Sequence, residues 1–122
     1  MINEFFSQTI LVSNHQTAEY LGSGDLPVFA TPAMIAIMEN TAMRAITDLA
    51  EGQTSVGISI QTSHLKASLV GATIDFKATI IGIEGRKYTF HIIATDGNGD
   101  TIGEGMHERV VVDKEKFMSK IR

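Results

Sequence analysis

Thr31–Glu51 reads TPAMIAIMENTAMRAITDLAE and carries the one strong helical period in the chain. Met34, Ile35, Met38, Ala42, Ala45, Ile46 and Leu49 recur every three or four residues, the spacing that lines one helix face with apolar side chains. Thr31 and Pro32 supply an N-cap and a first-turn proline, and Gly52 is placed to end the helix. The pattern predicts a helix from Thr31 to about Glu51.

After Gly52 the period changes to two. Val56, Ile58 and Ile60 alternate with Gly57, Ser59 and Gln61, and Ile74, Phe76, Ala78 and Ile80 alternate with Thr73, Asp75, Lys77 and Thr79. Tyr88, Phe90, Ile92 and Ala94 predict a further strand. Asp96-Gly97-Asn98-Gly99 is a hairpin turn, because Asp-Gly and Asn-Gly accept positive φ cheaply. A last strand spans about Thr101 to Val112, and Lys114 to Ile121 reads as a short terminal helix. Upstream, Glu4 to Ser13 reads as a first strand, followed by a polar, Gly-containing stretch from Asn14 to Pro27.

The order is therefore strand, loop, long helix, then four strands joined by tight turns that favour antiparallel neighbours. One helix buries its stripe against one face of a sheet, which makes the fold class α+β, with one long helix on a five-stranded antiparallel sheet. With no repeat or linker, residues 1–122 are expected to form a single domain. A lone helix leaves apolar sheet surface uncovered. A homodimer, with a dimer of dimers as a further state, is the simplest remedy.

Composition excludes several functions. Cysteine is absent, so there are no disulfides, thiolate metal sites or cysteine nucleophiles. His15, His64, His91 and His107 form no paired metal motif, and no metal is expected. A formal charge of -4 argues against a nucleic-acid partner, which calls for a basic face. No apolar run is long enough to span a bilayer, the N-terminus reads as mature protein, and a cytoplasmic location is expected.

At about 100° per residue, Glu39 falls at the edge of the helical stripe, near Ile46 and Ala50. Partial shielding there suits a carboxylate to proton transfer or nucleophilic attack; the plain alternative is a rim glutamate. Thr31 has its plain alternative as a cap, while the free N–H groups of a helix start can receive a carbonyl oxygen. His64 shares a strand face with Ile58 and Ile60 if the alternation is unbroken, and a bulge between Ile60 and His64 would reverse it. It is either a packed histidine or part of a pocket over the helix. His91 reads as surface. His107 alternates with Gly103, Gly105 and Arg109, and the two glycines indicate close approach by a backbone or a ligand. Lys66, Arg86, Lys87, Arg109 and the tail groups Lys114, Lys116, Lys120 and Arg122 are candidates for holding nucleotide phosphates, or else solvated surface.

Thr31-Pro32-Ala33-Met34, with Glu39 eight residues after the threonine, resembles the central helix of hot-dog thioesterases close to the fluoroacetyl-CoA thioesterase family. Val56-Gly57, His64-Leu65, Ala67 and Gly71 follow in register, as does Gly103-Glu104-Gly105-Met106-His107-Glu108-Arg109. The resemblance covers nearly the whole chain. It implies hydrolysis of acyl-CoA to a carboxylate and free coenzyme A, at a Thr31/Glu39/His64 site between two subunits. It also places Gly57 and Arg109 at the substrate, with no cofactor beyond the coenzyme A of the substrate itself. It does not imply a fluorinated acyl group. The same fold carries acyl-thioester hydratases and dehydratases, and a non-catalytic acyl-CoA-binding dimer is a further alternative.

Overall fold

The computed structural model describes residues 1–122. Strands β1 (Phe5–Leu11), β2 (Gln53–His64), β3 (Thr73–Glu84), β4 (Lys87–Asp96) and β5 (Thr101–Asp113) form one sheet. Neighbours run antiparallel in the order β1-β3-β4-β5-β2. Three helices accompany it: α1 (Ala18–Leu21), the long α2 (Thr31–Ala45) and α3 (Lys114–Ile121). The result is the expected α+β architecture, one long helix packed on a five-stranded antiparallel sheet.

The core lies between α2 and the sheet. Met34, Met38, Ala42 and Ala45 meet Ile74, Phe76, Ala78 and Ile80 of β3 and Phe90, Ile92 and Ala94 of β4, as the two periods predict. Each large side chain so buried contributes about 1.5–3 kcal/mol of transfer free energy. Gly103 sets how closely α2 descends on β5, since a Cβ there would lie 2.5 Å from the Met34 sulfur. A Cβ at Gly105 would strike the Gln61 carbonyl and Thr62 of β2. Both glycines therefore mark close approach, as the last strand suggested.

Several sequence expectations need correction. Helix α2 stops at Ala45, because Ile46 is extended (φ -86°, ψ 110°). Ile46 and Leu49 still pack on the core from this extended segment, while Thr47 donates its hydroxyl hydrogen to Glu4. Gly52, at φ +84°, turns the chain into β2 rather than capping a helix. The N-cap is Ala30, and Thr31 is already the first helical residue. The polar stretch Asn14–Pro27 contains a 3-10 turn (Asn14–Gln16) and α1, the latter started by the Thr17 hydroxyl accepting from the Tyr20 N–H. Finally, β2 and β3 are not neighbours. The chain leaves β2 at one edge and crosses to the interior of the sheet before β3 begins.

A bulge in β2 decides which of its side chains face α2. The register shifts between Gly57 and Ser59, so Ile58 has no partner in β5 and is 53% exposed. Before the bulge, Ser55 and Gly57 point toward α2; after it, Ile60, Thr62 and His64 do. Val56 and Ile58 thereby leave the face that strict alternation gives them. The far edge of β2 is unpaired.

Candidate active site

At the start of α2, Thr31 Oγ1 lies 2.8 Å from His64 Nδ1. No side chain caps this helix, so the backbone N–H groups of its first turn have no side-chain acceptor. The His64 Nε2 atom is buried and has no hydrogen-bond partner within the chain. Burial holds the His64 imidazole below its ordinary pKa, with the nearby Lys66 backbone acting weakly the other way. The neutral ring can accept a proton from Thr31 on Nδ1 and carry one on Nε2, or the reverse. A hollow of about 300 Å³ opens here, walled by Phe29, Ala30, Pro32 and Leu65 beside the pair.

Two turns along α2, Glu39 stands over Gly57. Its side chain is 41% exposed, and its Oε2 lies 3.6 Å from Arg109 Nη1. A Cβ on Gly57 would come within 2.7 Å of the Glu39 carboxylate, so only glycine leaves this space open. Arg109 is 6% exposed and engaged through each of its three guanidinium nitrogens. Its Nε donates to Ser55 Oγ at 2.8 Å, its Nη2 to the Ser55 carbonyl at 2.9 Å, and its Nη1 lies 3.2 Å from His107 Nε2. Such a guanidinium acts as a fixed charge beneath Glu39 rather than as a mobile phosphate clamp.

The structure thus brings together Thr31 with His64, and Glu39 with Gly57 and Arg109. It does not bring the two groups together within one chain. Thr31 and Glu39 are eight residues apart on α2, about 12 Å along its axis. Lys66 is committed elsewhere, bonded at 2.7 Å to both Asp96 and Asp100 of the β4–β5 hairpin. His91 sits on the outer face, 2.6 Å from Glu104. Ser55 is the residue that sequence reasoning missed. A glycine inside a strand pattern signals a bulge, and Gly57 read that way would have turned Ser55 inward.

The model of the fluoroacetyl-CoA-specific thioesterase (FlK) family matches residues 12–115. The fluoroacetyl-CoA thioesterase of Streptantibioticus cattleyicolor is 35% identical over 128 residues, spanning 99% of this chain and 91% of that protein. A variant of a fluoroacetyl-CoA-specific thioesterase, solved in complex with fluoroacetate and CoA, superposes with a TM-score of 0.87 at 34% identity, covering 96% of this chain and 98% of that one. A hot-dog-like protein from Thermanaerovibrio acidaminovorans shares the fold at 23% identity, with a TM-score of 0.89 over 98% of this chain and 89% of its own.

Proposed function

We infer the chemistry from one premise: this chain belongs to the fluoroacetyl-CoA-specific thioesterase family and is an acyl-CoA thioesterase of the hot-dog fold. Its working site is completed between two copies of the chain, with Thr31 and His64 from one facing Glu39, Gly57 and Arg109 of the other. The observation that carries this reading is the 2.8 Å Thr31–His64 contact with His64 Nε2 left unpartnered, two helical turns from Glu39. Groups about 12 Å apart do not act on one carbonyl.

A homodimer resolves the separation. Two β2 edges meeting on a two-fold axis pair antiparallel, so each end of β2 lies beside the opposite end of its partner. His64 closes one end of β2 and Gly57 sits toward the other, which draws the two half-sites together. Exposed Ile58 and Leu65 flank this edge and gain cover from a second copy.

In hydrolysis, water oxygen bonds to the thioester carbonyl carbon, the C–S bond breaks, and the products are a carboxylate and the thiol of coenzyme A. The thiolate leaves readily because its conjugate thiol has a pKa of about 8.5. Polarising the carbonyl and delivering the attack are therefore the main tasks. The Thr31 hydroxyl and the N–H groups of Thr31 and Ala33 at the start of α2 receive the developing oxyanion, since Pro32 has no N–H and that of Met34 is bonded to the Ala30 carbonyl. Glu39 supplies the basic oxygen that drives the attack, and neutral His64 moves a proton through Nε2. Arg109 stabilises the Glu39 carboxylate, and bare Gly57 leaves room for the acyl group.

Thiol release measured across short, branched, aromatic and fluorinated acyl-CoAs tests the reaction and ranks the acyl groups. Glu39→Gln keeps the shape and removes the basicity, and should lower turnover by about two or more powers of ten with folding intact. Acyl-CoA bound without thiol release would make the protein a binding module, and water added to an unsaturated thioester would make it a hydratase. Sedimentation should give two or four chains per particle. A fully active monomer would overturn the shared site.

A further inference from the structure

Among buried titratable groups, His107 is the one that the proposed chemistry leaves unused. It lies on β5 at 1% exposure, beneath the Glu39–Gly57 contact. Its Nδ1 is 2.7 Å from the carbonyl oxygen of Ser59, the residue that follows the unpaired Ile58 of the β2 bulge. Its Nε2 is 3.2 Å from Arg109 Nη1. The partners determine the tautomer. A carbonyl oxygen only accepts, so Nδ1 carries the hydrogen; a guanidinium only donates, so Nε2 presents its lone pair.

We propose that His107 is a positioning residue, holding Arg109, and through it the Glu39 carboxylate, against the β2 bulge as a neutral Nδ1–H imidazole. The inference rests on the reading of Glu39 as the group that drives attack. Without His107, Arg109 Nη1 loses its acceptor on β5 and faces only the Glu39 carboxylate at 3.6 Å, and the Ser59 carbonyl loses its side-chain donor. A second proton on His107 would turn Nε2 into a donor aimed at a cation. That reversal breaks the Nη1 contact and leaves Arg109 held only through its Nε and Nη2 bonds to Ser55, so that the Nη1 edge can shift together with the carboxylate that it faces.

The surroundings agree with a neutral ring. Glu39 faces it from α2, Arg109 and Glu108 from β5, the Ser59 carbonyl from β2, and β4 presents the Phe90 ring with centroids 5.9 Å apart. Burial lowers the His107 pKa most, and Arg109 lowers it further. The Ser59 carbonyl and the two glutamates act in the opposite direction without reversing the net shift.

The test uses the full-length protein, with two variants and one spectroscopic signal. His107→Phe keeps a flat ring of similar volume and removes both hydrogen bonds. It should lower kcat by roughly tenfold to a hundredfold, as displacement of a reacting group by about an ångström does, with KM little changed. His107→Gln restores a neutral acceptor toward Arg109 and should return kcat to within a few-fold of wild type, roughly. A packing role alone predicts no rescue by glutamine.

The Arg109 Nη1–H resonance, on the nitrogen that faces His107 Nε2, reports the arrangement independently of activity. In the wild type it should shift on acidification in step with protonation of His107, and in His107→Phe it should already be shifted at neutral pH. Wild-type kcat in His107→Phe overturns the inference, as does an Arg109 Nη1–H signal that does not move when His107 protonates. If Glu39→Gln retains full activity, the reading of Glu39 fails, while the Arg109 signal still decides whether His107 holds the arginine.

Discussion

Gly57→Ala adds one methyl group at the point where the carboxylate of Glu39, the ring of His107 and the guanidinium of Arg109 converge. Gly57 is not among the positive-φ residues, so the backbone itself accepts alanine. The new Cβ would lie 2.7 Å from Glu39 Oε2, 3.2 Å from His107 Cε1 and 3.3 Å from Arg109 Nη1. Ordinary contact begins near 3.4 Å, so the carboxylate must withdraw by about 0.7 Å, whereas the other two need yield only tenths. Glu39 is also the group free to move, being part-exposed while His107 and Arg109 are buried and hydrogen-bonded. A misplacement of about 1 Å at a reacting centre costs on the order of a hundredfold. The expected loss in kcat/KM is therefore about tenfold to a hundredfold. Stability should stay within about 1 kcal/mol, because reduced freedom of the unfolded chain offsets mild crowding. The assay is steady-state thiol release with a short-chain acyl-CoA, alongside a thermal melt. Wild-type kcat/KM at an unchanged Tm would refute the placement of Glu39. A large drop in Tm would show that the buried His107–Arg109 cluster had given way instead.

Thr31→Ala should leave stability within about 0.5 kcal/mol, since Thr31 is not the helix cap, yet lower activity. Combined with His64→Ala, it should lose much less than the product of the single losses, because the two side chains share one contact; multiplicative losses would assign them separate roles. His64 and His107 both sit below the ordinary histidine pKa of 6.5, mainly through burial. The folded state then binds these protons less readily than the unfolded chain, so stability is fully present above 6.5 and is lost as pH falls toward the folded values. Denaturant melts between about pH 7 and 5 should show that decline, and stability rising over this window would contradict the burial of both rings. Activity should fall on the same side, with its acid limb below 6.5.

Much of this molecule was legible in its residues. The α2 stripe, the alternation of β3 and β4 and the Asp96–Gly99 turn rest on short-range periodicity and turn chemistry, which the chain carries locally. The resemblance carried by Thr31, Glu39 and His64 pointed to the reaction class that the family comparison shows. Other features were beyond that reach. The length of α2 was overestimated because Ile46 and Leu49 pack on the core as well from an extended segment as from a helix. Thr31 looked like a cap because its partner, His64, lies 33 residues away. The order β1-β3-β4-β5-β2, the bulge at Ile58 and the Ser55–Arg109–His107 network all depend on which strand lies beside which. Periodicity in one segment says which side chains share a face. Only packing between distant segments decides which faces meet, and one unpaired residue in β2 was enough to turn Ser55 and Gly57 toward Glu39.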